Sequence, residues 1–194
     1  MTGPKRTRVE ALVIGASAGG IDALLRLLPG LPARPAFPVV IVLHLPDDRE
    51  SRLADVFRQH LPQPVWQAED KATLTPGNIY FAPPGYHLSI EADRSFSLSQ
   101  EEPVHFSRPA IDILMESAAD VYGPNLCGML LTGASHDGAA GLARIGAAGG
   151  LSIVQHPDDA EITTMPAAAL RARKPDHILA LAQMRDLLAT LETM

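Results

Sequence analysis

Unbroken apolar runs alternate with amphipathic stretches along most of this chain, in the order expected of a parallel sheet wrapped by helices. Ala11 to Ile14 reads as a buried strand, and Ile21 to Leu28 as the helix that follows it. Phe37 to Leu43 is β-branched and lacks polar alternation, the mark of a strand covered on both faces. Arg49 to His60 has helical spacing, with Leu53, Val56 and Phe57 on one face. Ala110 to Tyr122 repeats that spacing, with Ile111, Leu114, Met115 and Ala118 turned inward. Leu126 to Leu131, Leu151 to Val154 and His177 to Leu179 read as later buried strands; helices are expected at Gly138 to Ala147, Pro166 to Arg171 and Leu181 to Thr193.

The middle of the chain breaks the pattern. Asn78 to Phe81, Tyr86 to Glu91 and Ser95 to Ser99 are short, and Pro83-Pro84-Gly85 and Ala92-Asp93-Arg94 punctuate them. They read as antiparallel hairpins attached to the parallel core. The expected class is therefore α/β: a doubly wound, mostly parallel three-layer sheet of Rossmann-like type with an attached antiparallel hairpin region. Neither a repeat nor a linker divides it, so residues 1–10 are expected to be an N-terminal extension and residues 11–194 one domain.

Composition narrows the function classes. The chain has 194 residues, 46% hydrophobic and 20% charged, with a net charge of -6. Its only basic cluster, Lys5-Arg6-Arg8, is too short to be a nucleic-acid stripe, so no nucleic-acid partner is expected. No apolar run is long enough to cross a bilayer and the start lacks a signal-peptide core, so the expectation is a cytoplasmic protein without membrane insertion. The single cysteine, Cys127, cannot form an internal disulfide and reads as a small buried strand residue.

The chemistry begins at the first turn. Val13-Ile14-Gly15-Ala16-Ser17-Ala18-Gly19-Gly20 places a serine where a strand turns into a helix, with glycines at the spacing of a G-x-S-x-G nucleophile elbow. The same residues also suit a helix cap or a phosphate-binding turn. In an open parallel sheet, functional groups gather beyond the carboxyl ends of the strands. Two further loops then matter: His44-Leu45-Pro46 after the second strand, and Thr132-Gly133-Ala134-Ser135-His136-Asp137-Gly138 after Leu131. A serine hydroxyl needs an imidazole to take its proton, and the imidazole needs a carboxylate to orient it. Ser17, His44 and Asp137 supply those types, in an order unlike that of the α/β-hydrolases. His44 also reads as a strand-end histidine on a backbone carbonyl, and Asp137 as an N-cap. His136 competes for the base role, while His60, His87, His156 and His177 read as surface or loop histidines. Arg108 suits a substrate carbonyl or an ion pair with Asp112. The dinucleotide reading fails on the missing second glycine, and His44, Asp47 and Asp137 lack a recognisable metal-ligand spacing, so no metal is expected.

With these loops, the chain closely resembles the catalytic domain of the CheB protein-glutamate methylesterases. The likeness runs through the Ser17 turn, His44-Leu45-Pro46, Thr75-Pro76-Gly77-Asn78-Ile79-Tyr80-Phe81-Ala82-Pro83, Arg108-Pro109-Ala110-Ile111-Asp112, Leu130-Leu131-Thr132-Gly133, Asp137-Gly138-Ala139-Ala140-Gly141 and Met165-Pro166. The resemblance implies hydrolysis of γ-glutamyl methyl esters on chemoreceptor signalling helices, deamidation of receptor glutamines, and no cofactor. It implies Ser17, His44 and Asp137 as the triad, the Ala18 and Ala134 N–H groups as oxyanion donors, and Arg108 and His105 at the substrate. Ala18 stands where the family often has threonine, and Ala134 where it commonly has methionine. The other readings are an esterase for a different substrate and a non-catalytic binding module. A start so close to the first strand leaves no room for the family's receiver domain, so a free-standing member, a part of a longer protein, or a partner of a separate receiver is expected.

Overall fold

In the computed structural model, which describes residues 8–45 and 52–193, apolar alternation sorts the side chains of the central strands onto two covered faces. Strand β1 (Ala11–Ala16) and strand β2 (Val39–Leu43) are buried at every position. Leu12, Ile14, Ala16, Val39, Ile41 and Leu43 enter one apolar layer, and Ala11, Val13, Val40 and Val42 enter the other. That is the period-two consequence of a pleated strand with no solvent face.

The remaining strands are β3 (Val65–Gln67), β4 (Ile79–Phe81), β5 (His87–Ile90), β6 (Phe96–Ser99), β7 (Leu126–Leu130), β8 (Leu151–Gln155) and β9 (His177–Leu179). Seven of the nine form one parallel sheet in the order β3-β4-β2-β1-β7-β8-β9, while β5 and β6 pair antiparallel. Helices α1 (Gly20–Leu27), α2 (Leu53–Arg58) and α6 (Leu181–Leu188) cover one face. Helices α3 (Ile111–Tyr122), α4 (Ala139–Ala147) and α5 (Thr164–Ala172) cover the other, together with the β5–β6 hairpin. The doubly wound three-layer α/β expectation holds.

Four details differ from the sequence reading. Strand β9, expected to be buried, is the sheet edge, with His177 and Ile178 exposed. The segment assigned to a hairpin at Asn78 to Phe81 is instead an inner parallel strand, β4, with Val39 opposite Ile79. Its outer neighbour β3 was not anticipated; Trp66 in it is half exposed, so no apolar run marks the strand. In α2 the inward residues are Leu53, Ala54 and Phe57, and Val56 faces solvent. The expected start of that helix at Arg49, and Pro46, Asp47 and Asp48 before it, lie outside the described residues, as do Lys5 and Arg6. Cys127 is buried in β7. Among the described residues, no helix is long and apolar enough to cross a membrane.

The strand order places β1 between β2 and β7, and this positions the site. The chain leaves β1 toward α1 on one face of the sheet and leaves β7 toward α4 on the other. Connections that diverge in this way open a crevice at the carboxyl ends of the two strands.

Candidate active site

Ser17 follows the last residue of β1, and its N–H donates to the Thr132 carbonyl at 3.0 Å. The Ser17 carbonyl accepts from Gly20 N–H at 2.8 Å, closing a tight turn in which Gly19 has φ +78°. A side chain at position 19 would also collide with the Glu161 side chain. Gly19 is the N-cap residue of α1 and no side chain caps that helix, so the serine is not spent on the capping role that its position allowed.

The β1–β2 register pairs Ala16 with Leu43, and His44 N–H donates to the Ala16 carbonyl at 3.1 Å. One residue further on, Ser17 and His44 leave adjacent parallel strands side by side, at the strand spacing of about 4.8 Å. Their side chains do not hydrogen-bond to each other. His44 instead engages Asp137, with Nε2 2.8 Å from Oδ2. With Nε2–H directed at the carboxylate, Nδ1 is the ring nitrogen left to accept a proton.

Asp137 is fully buried, and every contact of its carboxylate is a donor. Besides His44, Oδ2 accepts from Ile111 N–H at 2.6 Å and Oδ1 from Asp112 N–H at 2.9 Å. These two amides open α3, whose N-cap residue Ala110 has no side chain able to serve them. Asp137 is thus an N-cap, but of α3 across the site rather than of α4 beside it; Gly138 holds that second position. The positive end of α3 and the two N–H groups offset the cost of burying the carboxylate.

Thr132 ties the loops together. Its hydroxyl donates to the Ala18 carbonyl at 2.9 Å and accepts from Ile162 N–H at 2.9 Å, while its own N–H donates to Gln155 Oε1. Gly133 fits between Ser17 and Met165, where a Cβ would lie 2.8 Å from that of Ser17. Replacing Thr132 with the isosteric valine takes the partner from the Ala18 carbonyl and from the part-buried Ile162 N–H, and is expected to cost about 0.5–1.5 kcal/mol in urea unfolding. Wild-type stability in that variant would contradict the role of the hydroxyl as a tie. Ala18 and Ala134 are both exposed at the mouth of the crevice, and among the described residues their N–H groups donate to no protein acceptor.

The other expected site residues are placed as follows. His105 and Phe106, both with positive φ, form the tip of a two-residue turn closed by Val104 and Ser107. His105 Nε2 lies 3.3 Å from Asp112 Oδ2, and Phe106 is fully exposed. Arg108 donates through Nη1 to the carbonyls of Gln100 and Glu101, so it does not take the pairing with Asp112 that its spacing allowed. It also lines a small cavity with Leu43 and Leu45, the neighbours of His44. His87, read as a surface or loop histidine, is buried: Nδ1 accepts from Ala110 N–H and Nε2 meets the Glu102 carbonyl. It thereby braces the entry to α3. Nothing in the local sequence marked the burial of His87, whose partners lie 15 and 23 residues away, or the bonds that Thr132 and Asp112 make to Ala18 and Gly141.

Comparison with known proteins follows the same lines. The family profile described as CheB methylesterase matches residues 12–188. A Leptospira interrogans protein, provisionally named a protein-glutamate methylesterase/protein-glutamine glutaminase, is 44% identical over 183 residues, covering 94% of this chain and 95% of its own. Protein-glutamate methylesterase/protein-glutamine glutaminase 1 of Hahella chejuensis is 36% identical over 182 residues, 92% of this chain but 50% of that one. This chain therefore spans about half the length of that relative. The crystal structure of the Thermotoga maritima CheB methylesterase catalytic domain superimposes with a TM-score of 0.90 at 28% identity, covering 95% of this chain and 100% of that one.

Proposed function

Because this chain belongs to the CheB methylesterase family, we propose that it is a protein-glutamate methylesterase in which Ser17 is the nucleophile, His44 the base and Asp137 the orienting acid. The observation that carries these roles is the buried Asp137 carboxylate bonded to His44, with Ser17 leaving the neighbouring strand. Ser17 Oγ attacks the γ-carbonyl carbon while its proton passes to His44 Nδ1. The imidazolium returns that proton to the departing methoxide, releasing methanol and leaving a γ-glutamyl ester on Ser17. Water then attacks that ester, the imidazole takes its proton, and the glutamate carboxylate leaves with Ser17 restored. The free Ala18 and Ala134 N–H groups are the oxyanion donors in this scheme, which needs no metal or organic cofactor. A glutamine γ-amide follows the same course with ammonia as the leaving group.

The substrate in this reading is the signalling helix of a methyl-accepting chemoreceptor in the cytoplasm, with a separate receiver domain as regulator. The test is methanol release from methylated receptor signalling domains, with and without a receiver partner. Release supports the assignment; a folded protein that releases none from cognate receptors sinks it, and leaves another ester or a binding role.

Arg108 and His105 border the crevice on the substrate side in this scheme. Arg108→Ala is expected to raise KM for the receptor domain about fivefold with kcat within twofold, the pattern of lost ground-state binding. Unchanged activity and binding would remove Arg108 from the substrate contact.

A further inference from the structure

Asp112 is a buried carboxyl group that the hydrolytic scheme leaves without a task. It is the second residue of α3 and only 5% exposed. Its Oδ1 accepts from Gly141 N–H, in the first turn of α4, at 2.7 Å. Its own N–H goes to Asp137 Oδ1. Each of the two aspartates therefore caps the helix that follows the other: Asp137, just before α4, serves α3, and Asp112, inside α3, serves α4. The remaining oxygen of Asp112 faces His105 Nε2 at 3.3 Å.

A neutral side chain would cap Gly141 as well, without the cost of desolvating a charge. Burial raises the Asp112 carboxyl above its ordinary range, and the nearby Asp137 charge adds to this; the Gly141 amide and His105 act the other way. The groups around it are few. Asp137 faces it from the β7–α4 loop, His105 from the turn before α3, and Glu116 from one turn along α3. Arg144 of α4 lies beyond Glu116 and is held by Asp120. A charge in this position acts on the Asp137 carboxylate that holds His44.

We propose that Asp112 is a positioning residue for the esterase reaction, holding Asp137 in register and adding its negative charge to the field that favours protonated His44, with His105 as its counter-group. The inference rests on the esterase reading of the site. Asp112→Asn keeps Oδ1 for Gly141 and removes only the charge. A nearby negative charge favours the imidazolium, so its loss is expected to move the acid limb of the kcat/KM profile to lower pH by about half a unit. A residue that only caps α4 predicts a limb that stays in place, and an unmoved limb in a folded variant overturns the proposal.

Titration of the wild-type protein labelled with ¹³C at its aspartate carboxyls gives the second readout and needs no variant. The His44 ring resonances are expected to inflect at the pH where the Asp112 carboxyl titrates. A His44 ring blind to that titration overturns the coupling. If the wild type releases no methanol from receptor esters, the esterase reading fails, while the two titrations still decide whether Asp112 and His44 are linked.

Discussion

Replacing Ser17 with alanine is expected to lower methanol release about 10⁴-fold or more while leaving the fold intact. The hydroxyl is removed from a half-buried turn whose geometry does not depend on it. The turn is held by Ser17 N–H on Thr132, Gly20 N–H on the Ser17 carbonyl, and the left-handed Gly19. The hydroxyl makes no capping bond to α1, so its loss strands no buried donor. Thermal unfolding of the variant should therefore match that of the wild type within about 0.5 kcal/mol. Retained turnover would remove the serine from the chemistry; lost turnover together with lost stability would mean that the turn itself had collapsed.

Changes at Asp137 should damage both chemistry and fold. Alanine at this position leaves Ile111 N–H and Asp112 N–H buried without an acceptor and frees His44 from the carboxylate that holds it. The cap and the unsatisfied donors together suggest a loss of about 2–4 kcal/mol, read as a lower urea midpoint. Turnover should fall about 10⁴-fold, since the imidazole loses both its orientation and the stabilisation of its charged form. Asparagine separates the two effects. It has one oxygen where the site presents three donors on two oxygens, so it serves one side at best. The expected result is a stability loss smaller than that of alanine with nearly the same loss of turnover. An asparagine variant with near-wild-type kcat would show that the carboxylate is a helix cap and nothing more.

The two outcomes bear on how this chain can be read. Its central strands and the loops after them stand out in the sequence because β1, β2 and β7 are covered on both faces and written in unbroken apolar residues. Once a parallel sheet is assumed, Ser17, His44 and Asp137 have to share one edge. What stayed hidden depends on distant partners. Strand β3 is a three-residue edge strand carrying an exposed tryptophan, and β4 runs into the Pro83-Pro84-Gly85 turn that reads as hairpin punctuation; its pairings with β2 and β3 make it parallel. The burial of His87 comes from the amide of Ala110 and the carbonyl of Glu102. The cap that Asp137 supplies lies 26 residues back along the chain, so the local sequence suggested the wrong helix.

The place of β1 between β2 and β7 also orders events during synthesis. Ser17 and His44 are synthesised well before the partners they need: the amide of Ser17 finds its acceptor at Thr132 and His44 finds its acid at Asp137. Until β7 emerges and pairs with β1, one edge of the central strand is bare and open to misassociation. A nascent chain that ends short of β7 therefore carries Ser17 without its partners and an unprotected strand at once. The same late pairing removes both conditions, so esterase competence arrives together with the completed sheet and not before it.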